Sequence, residues 1–332
     1  MSTCRFNCKR FAVILLIILM VSSSLVGCSK PKIEETVYIT IGTAGVGGSF
    51  YPIGIRLSEI WNKAIPNVKA VAIATAGSPQ NIDMMRTKDA EVAVLGALDG
   101  LEAINGTGSY TEKMPWVVAL TGPMYQSGAQ ILAQNNSGIN EIMDIKGKKI
   151  AIGETGGAGT ADVTRTLDGL GMTLKDFTPV YADAGQAIDM LRDGLIDGAF
   201  LGLTVGSSAI AEAMLSGRVK LVPISDASFA TIVKISPTQQ RYTIKANTYS
   251  NQNYDVLTMA DPPQVIACRQ DLITDDMAYQ MTKAIYENLD EFKSSVAVLS
   301  AMSLEDAANG LLIPYHPGTL KYFKEKGITV KG

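Results

Sequence analysis

Histidine is almost missing from this chain of 332 residues, which has one, His316. A Ser-His-Asp arrangement would have to use it, and a metal site with several histidines is not available. Its setting, "IPYHPG" (Ile313–Gly318), is flanked by prolines and lies far in sequence from the glycine-rich stretches described below. A structural role in a turn is the expectation there. Cysteine is scarce too: of four, Cys4, Cys8 and Cys28 fall near the start and Cys268 stands alone. A disulfide framework within one chain and a multi-cysteine metal site are excluded once the first residues are removed. No block of basic residues is present, so nucleic acid is not an expected partner. No low-complexity segment is present either. Charged residues make up 18% and hydrophobic ones 47%, a balance that supports a sizeable core and argues against disorder.

Long apolar runs are also lacking. Phe11–Met20, "FAVILLIILM", has ten residues, against the roughly 20 that span a bilayer. It follows Arg5, Lys9 and Arg10 and precedes "LVGC" (Leu25–Cys28). A charged start, a short apolar stretch and small residues before a cut describe an export signal over residues 1–27; an uncleaved membrane anchor is the alternative. Residues 28–35 then form a polar tether. Loss of residues 1–27 removes three basic groups and no acidic ones, taking the formal charge from −3 to −6.

What the chain does have is glycine, placed twice in one pattern. "GTAGVGGS" (Gly42–Ser49) follows the β-rich "VYITI", and "GETGGAGT" (Gly153–Thr160) follows "KKIAI". Both fit G-x-x-G-x-x-G-[S/T] and both precede a helical pattern, with Pro52 suited to a first turn. A second echo pairs "MRTKDAEVAVLG" (Met85–Gly96) with "LRDGLIDGAFLG" (Leu191–Gly202), aligning Arg86 with Arg192 and Glu91 with Asp197. The reading is two α/β lobes, each with a mostly parallel sheet, and ligands beyond the carboxyl ends of the strands. Generic α/β grammar without a shared cleft is the alternative.

Each loop offers unpaired N–H groups and the positive end of a helix dipole, which suits a carboxylate or phosphate. Ser49 and Thr160 add hydroxyl donors. Neither loop is a nucleotide fingerprint: Phe50 and Asp162 stand where G-x-G-x-x-G needs glycine, and the lysine of a phosphate loop is missing from both. Ser78, in "TAGSPQN" (Thr75–Asn81), serves as a helix cap or a ligand contact. Asp99 is expected to cap a helix, while Thr204, Ser207 and Ser208 are uncharged donors after a strand. Asp275 and Asp276 open a helix, where acids favour the dipole, so an enzyme has little to work with. Arg56 and Arg165 lie in the helices after the loops, where water is the expected surrounding of an arginine.

These segments, with "DIKGKKIAIGETGGAGT", "YADAGQAIDMLRDGLIDGAFLG" and "LIPYHPGTLKYFKEKGI", resemble the TAXI-type solute-binding proteins of TRAP transporters over nearly the whole mature chain, and "LVGC" resembles the lipobox of bacterial lipoproteins. The resemblance implies a two-lobed periplasmic-binding-protein-like α/β fold (a type II Venus flytrap) that closes on a small solute, with no enzyme activity and no cofactor or metal. It implies a small organic acid or amino acid as ligand, among them glutamate, glutamine and 2-oxoglutarate-like acids. It implies TRAP membrane permease subunits as partners, an extracytoplasmic location, and diacylation of Cys28 as the sole hold on the membrane. By the family's pattern the cleft is lined by Gly47, Gly48, Ser49 and Tyr51, by Ser78 and Asn81, and by Gly156, Gly157, Gly159 and Thr160. Thr155, in the same loop, and Thr204 and Ser207 are further candidates. The chain departs from the family at Gly96–Leu101, where Q-S-D and aromatics are usual, and at Val205–Ser208, where G-x-P is frequent. A smaller or less polar acid fits those changes. A ligand-sensing accessory lipoprotein with the same fold is the rival reading.

Residues 36–127 with 262–332 are expected to form lobe one, and 128–261 lobe two. "AQILAQ" (Ala129–Gln134) and "PQVIACRQ" (Pro263–Gln270) are the expected crossings. Ser236–Val256 reads as extended chain and loop, and the pattern near Gly318–Gly327 as a helix that packs on either lobe.

Overall fold

The computed structural model describes residues 35–330. The expected signal segment, Cys28 and nearly all of the tether lie outside the described residues. Among those described, no helix is long and apolar enough to cross a membrane.

The first lobe begins with alternating strand and helix: β1 (Val37–Gly42), α1 (Phe50–Ala64), β2 (Val68–Ile73), α2 (Ser78–Thr87), β3 (Val92–Gly96), α3 (Ala97–Asn105) and β4 (Val117–Ala119). The second repeats the plan: β5 (Gln130–Gln134), β6 (Lys149–Ala151), α4 (Ala158–Gly169), β7 (Thr178–Val180), α5 (Ala184–Arg192), β8 (Gly198–Leu201), α6 (Ser208–Leu215), β9 (Val219–Val222) and α7 (Asp226–Ile235). Then come β10 (Gln240–Ile244), β11 (Val256–Ala260), β12 (Gln264–Arg269), α8 (Asp275–Glu287), α9 (Leu289–Lys293) and α10 (Pro317–Glu325).

The two five-stranded sheets have the orders β2-β1-β3-β12-β4 and β7-β6-β8-β5-β9. In each, one strand runs against its neighbours: β12 is antiparallel to β3 and β4, and β5 to β8 and β9. The sequence echo has a structural counterpart. The Glu91 carboxylate accepts the Thr40 N–H at 2.8 Å, and the Asp197 carboxylate accepts the Lys149 N–H at 2.8 Å. Each acid stands just before a strand, β3 or β8, and ties it to the strand that leads into its lobe's glycine loop, β1 or β6.

Apolar side chains of these sheets and their helices build the cores. In the first lobe Ile39, Ile41, Trp61 and Val94 are fully buried, and the Trp61 indole N–H donates to the Met281 carbonyl of α8 at 3.1 Å. Tyr322 and Phe323 of α10 are buried in this same core, with Tyr286 of α8 stacked on Tyr322, so the C-terminal helix packs on the first lobe. His316 is fully buried at the start of α10; its Nδ1 accepts the Gly318 N–H at 3.1 Å, so Nε2 carries the proton it donates to the Ile273 carbonyl at 3.0 Å. It is the structural histidine that its sequence setting implies.

One expectation needs correction. Ala129–Gln134 and Pro263–Gln270 are not themselves the crossings, because nearly all of each is ladder-paired as the reversed strand of a sheet. The chain crosses just before them, near residues 120–129 and 261–263. There the two passages are stitched together: Asp261 N–H donates to Ser127 O (3.2 Å), Gln264 N–H to Tyr125 O (2.8 Å) and Ala129 N–H to Met259 O (2.8 Å). Ser236–Val256 is extended chain and loop as expected, and its extended part is a ladder: β10 pairs antiparallel with β11 over five residues. Its consecutive Tyr242, Thr243 and Ile244 favour a pleated ribbon.

Candidate functional site

The carboxyl ends of both sheets face one cleft of about 780 Å3. The first wall is the loop after β1. A turn in which Gly48 N–H donates to Gly45 O (2.9 Å) brings the chain round to α1. Ser49 sits at the cap position without capping; its hydroxyl pairs with the Tyr125 hydroxyl at 2.8 Å. Burial pushes the Tyr125 phenol up, with Ser49 opposing, so it stays protonated. The N–H groups of Gly47, Ser49 and Phe50 have no acceptor among the described residues; those of Ser49 and Phe50 belong to the orphan first turn of α1, and that of Gly47 to the loop before it. Gly47, Gly48 and Ser49 line the cleft; Tyr51, one residue into α1, does not.

The second loop has the same spacing but a different register. Gly153 (φ 87°) and Gly156 (φ 70°) take left-handed conformations that suit glycine. Gly157 N–H then donates to Glu154 O at 3.0 Å, and α4 begins at Ala158. Aligned with the first loop, this helix starts three residues early. Gly159 therefore lies in the first helical turn and lines the cleft, while Thr155, Gly156, Gly157 and Thr160 do not. The Thr160 hydroxyl is turned back onto the carbonyls of Glu154 (2.7 Å) and Ile152 (3.2 Å).

The lobes touch at this point. Ala158 N–H donates to Ala76 O across the cleft at 3.1 Å. A Cβ on Gly157 would come within 2.9 Å of that same Ala76 carbonyl, so glycine is what permits the approach.

Ser78 lines the cleft, yet it is the first residue of α2 and not its cap; its hydroxyl accepts the Gly96 N–H at 3.0 Å. Asn81 is fully buried below the lining. Its amide donates to Thr43 O (2.7 Å) and Val94 O (3.0 Å), tying α2 to the residue after β1 and to the middle of β3. Ser207 caps α6 and Thr204 accepts the Ser207 N–H through its carbonyl at 3.0 Å; neither lines the cleft.

Arg165 is where the sequence expectation fails most. It does not face water: its side chain is 13% exposed, lines the cleft and donates to Asp99 (3.0 Å) and Glu102 (3.0 Å) of the opposite lobe. It also pairs with Asp162 on its own helix. Asp99, expected as a cap, is instead a partner in this ion network. Burial alone would lower the Arg165 guanidinium, and Asp162, Asp99 and Glu102 more than offset it, so it is held above its ordinary value. Burial raises Glu102, raises Asp261, and raises Asp162 well above the usual carboxylate range. Nothing in a single arginine codon marks this. Its position about two turns into a loop-borne helix was the available signal.

Fold and cleft together define the class: a two-lobed α/β protein of the periplasmic-binding-protein type II fold. Residues 41–327 match the NMT1-like family, and the chain belongs to it. Among solved structures it is similar to PhnD1 from Prochlorococcus marinus in complex with methylphosphonate (13% identity, 80% of this chain and 90% of that one, TM-score 0.50). It is also similar to a structure from Streptococcus mutans concerned with glutathione import via GshT and the cystine ABC importer TcyBC (12% identity, 80% and 95%, TM-score 0.50). A third is the periplasmic aliphatic sulphonate binding protein SsuA from Escherichia coli (17% identity, 79% and 77%, TM-score 0.44). At these identities the likeness is one of fold.

Proposed function

We propose that the chain is an extracytoplasmic solute-binding protein that captures a small carboxylate-bearing solute by closing its lobes and hands it to a membrane permease. The observation that carries this reading is the pair of glycine loops, one from each lobe, opening onto a single cleft, with the unpaired N–H groups of Gly47, Ser49 and Phe50 on one wall. The bodies that move are residues 36–127 with 262–332, and residues 128–261. A solute bridging both shifts the open–closed equilibrium toward the closed form, which the permease reads. A preference of about 1.4 kcal/mol for the closed form changes that ratio tenfold.

The segments shared with TAXI-type proteins favour a TRAP permease as the partner. "LVGC" favours a diacyl anchor on Cys28 and a mature protein held at the outer face of the membrane. The methylphosphonate of the Prochlorococcus protein is a small anion as well, in keeping with an acid here. Thermal unfolding of the purified protein with a panel of organic acids and amino acids tests capture. A subset should raise Tm by several degrees through mass action. No shift with any of them would remove the support for capture, and turnover of a ligand would point to an enzyme.

A further inference from the structure

The charges lining the cleft are unbalanced. Asp99, Glu154, Asp162, Asp183 and Asp261 line it, and Arg165 is the one basic side chain among the described residues to do so. Arg165 is largely committed: its terminal nitrogens are given to Asp99, Glu102 and Asp162, and only its buried Nε–H has no partner. A solute anion arriving at that end of the cleft meets an excess of carboxylates and a single cation already shared among three of them.

A second observation comes from Gln239, which lines the cleft and is 7% exposed. Its side-chain amide donates to the Asp261 carboxylate. The NH2 faces Asp261, and the carbonyl Oε1 points the other way. That Oε1 is buried and has no partner. A buried acceptor left unpaired is costly and calls for a donor. Asp261 itself has the Gln239 amide as its contact and no direct ion pair among the described residues.

We propose that the solute carries a protonated amine, seated at the corner made by Asp162, Asp261 and Gln239, and that it bears no net negative charge. An ammonium group has three donors and no acceptor. It matches three acceptors, two of them carboxylates, and fills the unmet need of Gln239 Oε1. The carboxyl end of the same solute is left to the α1 turn on the other wall. The inference rests on the capture reading and narrows it: simple dicarboxylates, which bring only negative charge, are excluded.

Isothermal titration calorimetry of the purified protein with glutamine, ornithine, putrescine, glutarate and 2-oxoglutarate tests it, beside Asp261→Asn and Gln239→Leu. At least one amine-bearing probe should bind, the two dicarboxylates should bind at least tenfold more weakly, and each variant should weaken amine binding tenfold or more. Melting of each unliganded variant checks that it folds; if one does not, the other carries the comparison. Binding of putrescine alone supports the amine corner and corrects the carboxylate half of the capture reading. Glutarate or 2-oxoglutarate binding as tightly as the amines, with Asp261→Asn without effect, overturns the proposal and leaves capture standing. Binding of no probe overturns both.

Discussion

The guanidinium of Arg165, carried by α4 of the second lobe, holds the carboxylate of Asp99, carried by α3 of the first, at 3.0 Å across the cleft. With Glu102 at 3.0 Å it forms a clasp that exists only when the lobes are together. Opening the cleft breaks both pairs and returns their charges to water.

Arg165→Met should therefore favour the open form. Three carboxylates lose their shared cation, and water reaching them on opening limits the penalty. The expected loss of stability is about 2 kcal/mol. Denaturant unfolding measures the loss, and small-angle scattering should show a larger radius of gyration. An unchanged radius with unchanged stability would mean that the clasp does not hold the lobes.

Gly157→Val acts on closure from the steric side. Its φ of −88° is open to any residue, so the backbone is not the obstacle. The added Cβ, 2.9 Å from Ala76 O, pushes the lobes apart and removes the Ala158-to-Ala76 hydrogen bond. Solute affinity should fall tenfold or more with little change in Tm of the unliganded protein. Wild-type affinity would show that capture needs no such approach. Gly48→Val, by contrast, places its Cβ 3.4 Å from Gly45 O, inside the loop that meets the solute, and should abolish binding with the fold intact.

The acidic cluster predicts an unusual response to pH. Burial raises Asp162, Asp261 and Glu102, so the folded state holds their protons more tightly than the unfolded chain. Stability from these groups is present below the raised values and is lost as pH climbs through them. Tm of the unliganded protein should rise on acidification from neutrality toward about pH 5. Asp176, Asp255 and Asp271 are held low, chiefly by hydrogen bonds to Thr173, Ala246 and Arg269, and oppose this only below about pH 4. Asp162→Asn should flatten the rise. A wild-type Tm that falls steadily from pH 7 to 5 contradicts the account.

His316→Ala separates fold from function. It removes a buried ring, the cap of Gly318 N–H and the bond to Ile273 O. A loss of about 3 kcal/mol is expected. Solute affinity should be unchanged, and selective loss of binding would reopen a role for the histidine beyond structure.

Much of the architecture could be read from repetition. The loops after β1 and β6, and the acids Glu91 and Asp197, recur because each lobe solves the same local problem with the same residues. The register shift at α4 could not be read, because it depends on where left-handed glycines let the chain turn. Thr160 occupies the place of Ser49 in the pattern but spends its hydroxyl on its own loop. Arg165 was illegible for a different reason: its surroundings come from α3, more than sixty residues away, and exist only through the meeting of the lobes. Gln239 carried no signal at all, since one glutamine beside a ribbon looks like any other polar surface residue.

The reversed strands have a consequence for how the molecule comes into being. The second sheet is assembled from one continuous stretch, β5 to β9, and its strands are all present once residue 222 has been made. The first sheet has a vacancy between β3 and β4 that only β12, residues 264–269, can fill, and α8 and α10 follow later still. A chain emerging from its N-terminus must hold β1 to β4 unfinished while the second lobe completes itself. The lobe that begins first is the one that closes last.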